Sequence, residues 1–354
     1  MATAMERLKA LAQAAKPPMS SLENRILAET ALPVVYDPSV DPLQAATEGQ
    51  LMPLLHAADF AGLTAAFDRL FARKTFCGSG YRTYRVAQSL MLSQIDTAAP
   101  ARDAATAETL YAPYRQWWLQ DRTDPAAAAV YAQALLATDL SGSVNEKDSD
   151  GTNAGMEHLR GLCGEARRVL AHAGPKGRRN WLWRHADFTL TFVAWSCGVE
   201  DEALLAPTFA AVQTLDPHEF GIYDDRAAQL LPCSAGSVAA IDRFACAAAK
   251  RTTAQFGDLL YARVYDTVLG FEDPESTRVD PDRLLAGFAD WFERFPSQAL
   301  ANRYAAHAHA FGDDATLRRL FRDAVREIQP THWFDHDQPL EAWRRVTTRR
   351  RRAN

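Results

Sequence analysis

Apolar residues recur along this chain at the three-to-four-residue spacing of amphipathic helices, and that spacing predicts an all-α fold. Phe60, Leu63, Phe67, Leu70 and Phe71 fall on one helical face, with Asp59 placed to cap the first amides. A turn at Cys77-Gly78-Ser79-Gly80 leads to a partner helix over 81–95. Leu110, Tyr111, Tyr114, Trp117 and Trp118 mark a third helix; the alanine-rich run 126–136 follows it, opened by Asp124-Pro125 because proline suits the first helical position. Further helices are expected over 156–172, 181–198, 201–215, 236–250, 258–269, 281–295, 296–311 and 317–328.

The interruptions divide the chain. Residues 1–42 read as a helical arm, with Met5, Leu8, Leu11 and Ala15 in helical phase before Pro17-Pro18, Leu22, Ile26 and Leu27 after it, and a proline-rich stretch over 32–42 that crosses a surface in extended form. Helix pairs fill 43–140, and the polar, aperiodic residues 141–155 form an exposed loop and the expected seam. Residues 156–335 form a C-terminal repeat region, and 336–354 are a last segment with a basic tail. Within the repeat region, 181–217 and 296–330 each run helix, tight turn, helix, proline over about 34 to 36 residues, the period of a tetratricopeptide-like unit. The expected architecture is an irregular, α-solenoid-like stack of antiparallel helix pairs.

Composition narrows the function classes. At 354 residues, 47% hydrophobic and 23% charged, the chain is an ordinary globular one with more than one average domain's length. The net charge of −5 includes six arginines and no acid over 344–354, so the rest of the chain is distinctly acidic and repels a polyanion. Arginine outnumbers lysine 33 to 6, which together with the alanine content reads as codon usage of a GC-rich bacterial genome. Five scattered cysteines without a C-x-x-C pair read as small buried residues in a reducing compartment. The best apolar run, 192–199, is far short of the ~20 residues of a membrane span, and the N-terminus lacks a signal peptide's apolar core, so a cytoplasmic location is expected.

Several constellations carry candidate chemistry. Trp181, Trp183, Arg184 and His185, preceded by Lys176, Arg178 and Arg179, combine aromatics and cations as a binding surface for phosphate or nucleic acid does, although a helix start needs the same residues for packing. His332, Asp335 and His336 offer metal-ligand types, but Pro330 and Pro339 argue for a loop in which Trp333 and Phe334 cap the core. His307 and His309 point to different helix faces. The acid pairs Asp224-Asp225 and Asp313-Asp314 and the run Glu200-Asp201-Glu202 sit where they cap helices. No phosphate-loop, zincin, nucleophile-elbow or dinucleotide motif occurs, so no catalytic residue is named and no cofactor is implied.

Leu231-Pro232-Cys233-Ser234-Ala235-Gly236-Ser237, with Ile241, Phe244-Ala245 and Leu259-Leu260-Tyr261, resembles a bacterial family of unknown function with a tetratricopeptide-like helical build. Ala57-Ala58-Asp59-Phe60-Ala61-Gly62-Leu63 resembles that family's opening helix, and Gly312-Asp313-Asp314 with Leu320-Phe321 its closing repeat. The resemblance runs over about residues 55–335, lacks the family's aromatic near Cys233 or Ser234, and implies a fold without implying a catalytic residue. Repeat spacing without catalytic motifs points to a scaffold or adaptor that binds another protein or a peptide, as an immunity or accessory protein of a toxin or secretion system does. The alternative is a hydrolase or metal-dependent enzyme whose site is assembled from distant residues.

Overall fold

A computed structural model describes residues 19–36, 41–96, 104–140, 154–234 and 236–351, and most of these lie in helices joined by turns and short connections. The amphipathic run at Met5 to Ala15 and the polar residues 141–153 lie outside the described residues. Among the described residues the only β pairings are two isolated bridges, Val34 with Ile328 and Phe76 with Arg82. The fold class is all-α. No helix among the described residues is long and apolar enough to cross a membrane.

The chain forms two compact units, one of residues 41–222 and one in which 19–36 join 223–351. The division therefore falls near 40 and near 222, while the helices on either side of 141–153 pack against each other inside the first unit.

The first unit contains α2 (Pro42–His56), α3 (Phe60–Arg73), α4 (Thr83–Asp96), α5 (Ala104–Gln120), α6 (Pro125–Leu140), α7 (Ala154–His172), the single turn α8 (Gly174–Gly177), α9 (Trp181–Ser196) and α10 (Leu205–Leu215). Helix α1 (Met19–Thr30) precedes them in the chain and belongs to the second unit. Asp59 caps α3 by accepting from Gly62 N at 2.9 Å, and Asp124 caps α6 through Ala126 N at 2.8 Å, as their sequence positions predict. Helix α6 is buried on every side over 126–136 and packs against α3, α4, α5, α7 and α9. Its small alanines let five neighbours approach one axis, so this unit is a bundle around a central helix.

The second unit contains α11 (Gly221–Gln229), within which it begins, then α12 (Val238–Phe256), α13 (Leu259–Leu269), α14 (Pro281–Arg294), α15 (Gln298–Ala310), α16 (Asp314–Asp323) and α17 (Gln338–Arg351). Each of α12 to α16 packs on its successor. Helix α16 stops at Asp323, five residues before the pattern's end at Ile328. The reason lies outside the local pattern: Ile328 N donates to Pro33 O and Val35 N to Ile328 O, both at 2.8 Å, so the extended 31–36 stretch competes for that backbone. Close packing also constrains one glycine. A Cβ on Gly287 of α14 would meet the Asp258 carbonyl and approach Ala262 Cβ to 2.9 Å, so its absence permits the crossing of α14 over the start of α13.

Candidate functional site

Of the aromatic-cationic group at the start of α9, Trp181, Trp183 and His185 lie in the first unit's core, while Arg184 is half-buried and Lys176, Arg178 and Arg179 are exposed. Asn180 caps the helix through Trp183 N at 3.1 Å, which fixes the phase of the residues that follow. Trp181 is fully buried, with ring centroids 4.8 Å from Tyr84 and 4.9 Å from His185, the latter pair almost parallel. Trp183 donates Nε1 to Leu170 O at 2.9 Å, and Arg184 donates Nε to Arg178 O at 3.1 Å. His185 is reached by the Arg85 guanidinium and by Gln133 Nε2 at 3.2 Å, and Gln133 accepts from Gln88 at 2.6 Å. A stacking platform for bases needs open ring faces, and Trp181 presents none.

A second buried charge network stands beside it. Asp216, 2% exposed, takes Arg82 Nε at 3.1 Å and the Tyr84 hydroxyl at 3.0 Å, with Lys74 Nζ at 3.8 Å. Burial pushes the Tyr84 phenol up, reinforced by Glu219 and Asp216. Burial, with Arg82 and Lys74, holds His218 below the ordinary imidazole range against the pull of Asp216. Paired in this way, the charges lock α4 to the α10–α11 link.

The second unit places its charges differently, along one face of α13 and α15. Arg263 and Asp266 are three apart on α13, and Arg303 and His307 four apart on α15, so each pair shares a helix face. Arg263 Nε bonds Asp224 at 3.1 Å, Arg303 Nη1 bonds Asp266 Oδ2 at 2.7 Å, and His307 Nε2 meets Asp266 Oδ1 at 2.9 Å. Burial alone would raise the Asp266 carboxyl, but Arg303, the His307 hydrogen bond and Arg263 outweigh it and hold it below the usual carboxylate range. His332 Nδ1 stands 3.5 Å from Arg303 Nη2, and burial with that cation brings the imidazole down to about 4. With Asp266 an ionised acceptor, His307 Nε2 is the donor of this hydrogen bond, and its buried Nδ1 has no partner among the described residues.

This face continues into an open depression of about 600 Å³. It is lined by Ala310 and Phe311 at the C-terminal end of α15, and by Asp273, Pro274, Glu275, Val279 and Pro281 from the α13–α14 connection and the first residue of α14. Phe311 lies 6.5 Å from the His307 ring, which Phe288 and Phe334 also flank at 4.6 and 5.0 Å. Phe334 is 46% exposed, an aromatic left open to solvent beside the charged row.

Other sequence candidates are accounted for as follows. His332 turns to Arg303, and among the described residues no three His, Cys, Asp or Glu side chains are grouped to hold a metal, the set His332, Asp335 and His336 included. Trp333 is buried and donates to Asn302 Oδ1 at 3.0 Å, and Phe334, expected to cover the core with it, packs edge-on against the buried His307 while staying 46% exposed. Asp313 and Asp201 do cap their helices, through Thr316 N at 3.0 Å and Ala203 N at 2.8 Å; Asp224 is spent on Arg263. Cys77, Cys163 and Cys197 are buried, and burial pushes the thiols of Cys77 and Cys163 up to about 12. Cys233 is exposed on a turn and Cys246 half-buried against Arg283 Nη1 at 3.3 Å, correcting the expectation of five buried cysteines. The residues that sequence reading missed are Arg263, Asp266 and Arg303; the first two did leave a signal, because α13 is apolar almost all round and charges inside it demand partners. In comparisons with protein-family models, with curated proteins and with solved structures, the chain matches none.

Proposed function

We propose that this protein is a binding scaffold, which takes a peptide or a segment of a partner protein on the α13–α15 face of its second unit. One observation carries the reading: the exposed Phe334, and Phe311, which lines an open depression, both stand against the ring of the buried His307. Helices held by buried ion pairs offer a rigid recognition surface at little ordering cost. The acid and base groups there are committed to one another, with Asp266 held between Arg303 and His307, which favours holding over proton transfer. Five cysteines without a disulfide fit a reducing cytoplasm as its place of work.

A photo-crosslinking amino acid at position 334 tests the reading in cells that make the protein, with the equally exposed Leu204 of the first unit as the control position. A discrete adduct from position 334 alone is expected. The same diffuse products from both positions, or none from 334, would remove the proposal.

A further inference from the structure

Resting on the binding reading above, we infer that the depression takes a basic side chain, lysine or arginine, carried on an extended partner segment with an apolar neighbour. Among the lining residues, Phe311, Val279 and the two prolines offer apolar surface that suits the methylene stem of such a side chain or the apolar residue beside it. The α13–α14 connection is acidic. Over 271–282 the sequence places Glu272, Asp273, Glu275, Asp280 and Asp282 against one cation, Arg278. Asp280 is occupied as the cap of α14, accepting from Asp282 N at 3.1 Å, but Asp273 makes no cap hydrogen bond at its own helical turn. Among the described residues, Asp273 and Glu275 join no ion pair, which contrasts with the paired carboxylates Asp224 and Asp266 a few turns away. An exposed acid pair beside apolar lining residues attracts a cation with a hydrocarbon stem and repels an acidic segment. A volume of about 600 Å³ accommodates one long side chain and part of its neighbour.

The test screens the full chain against a positional-scanning library of capped fluorescent hexapeptides by anisotropy, then repeats it with the double variant Asp273→Lys, Glu275→Lys and with Phe334→Ala. The expected result is selection of lysine or arginine next to an apolar residue, binding that weakens with added salt, and roughly tenfold or greater loss in the charge-reversed variant. Because both acids are exposed, that variant keeps the wild-type unfolding midpoint, and the uncharged pair Asp273→Asn, Glu275→Gln falls between. Selected peptides that lack a basic residue and bind the charge-reversed variant equally well, yet lose affinity with Phe334→Ala, overturn this inference and leave the scaffold reading standing. If no hexapeptide binds, both fail. Should sedimentation show a dimer that dissociates when residues 349–354 are removed, the basic segment comes from a second copy, and the partner-protein assignment is overturned.

Discussion

Asp216 shows how a single side chain holds a unit together. At 2% exposure it neutralises Arg82 and accepts the Tyr84 hydroxyl, so Asp216→Ala leaves a buried guanidinium without its counter-charge. The expected loss is about 3–5 kcal/mol of unfolding free energy, and Asp216→Asn, which keeps the shape and one acceptor, should lose less. Urea titrations of the two variants check the order. His332 gives a pH dependence. It is neutral in the folded state down to about 4, held there by burial and Arg303 against the weaker pull of Asp266, whereas an unfolded histidine binds its proton near 6.5. Between those values the unfolded chain carries the extra proton, so stability rises with pH, at most about 1.4 kcal/mol per unit. The contribution is complete above about 6.5 and is lost as pH falls toward 4. His332→Gln should flatten the unfolding temperature over that window; an unchanged slope would refute the assignment.

At the scale of elements, two glycines in helices are expected to respond with opposite signs. Gly161 of α7 is exposed with open space around its Cα, so Gly161→Ala should stabilise by about 0.5–1 kcal/mol through helix propensity. Gly287 of α14 meets the Asp258 backbone, so Gly287→Ala should destabilise by about 1–3 kcal/mol despite the same propensity gain. Thermal unfolding of both variants in parallel reads the difference. Propensity and periodicity made most helices legible: Asp59, Asp124 and Asp313 cap where their spacing places them. Local pattern fails where a distant segment intervenes. Nothing within 317–328 announces that Pro33 and Val35 take the backbone of Ile328 and end α16 at Asp323. The alanines of α6 betray a buried helix, but not that five others surround it. The candidate face was half legible for the same reason. His307 and Phe334 stood out as residue types, while Arg303 and Asp266, 37 apart in sequence, acquire their meaning only by meeting.

The path of the chain gives the whole molecule an order that a linear reading of an arm, helix pairs and repeats does not contain. Residues 19–36 belong with 223–351, and the continuous unit 41–222 intervenes between these two parts. Three contacts tie the early segment down: Ile26 is fully buried in α1, Arg344 of α17 clasps Glu29 with Nε at 2.7 Å, and Val34 bridges Ile328. That ion pair is part-exposed and worth little alone. The buried isoleucine and the closed backbone of 31–36 and 328 carry the larger share. Ile26→Ala should therefore cost the second unit at least ~2 kcal/mol while the first unit's helices keep their stability. Hydrogen exchange resolves the two: faster exchange is expected in α15 to α17 and around Ile328, with protection in α6 and α9 unchanged. Uniform acceleration across both sets would show that the segment stabilises the whole chain and would remove the assignment of 19–36 to the second unit. The same substitution bears on binding, because Ala310 and Phe311 at the end of α15 line the depression; peptide affinity there should fall together with the protection of α15.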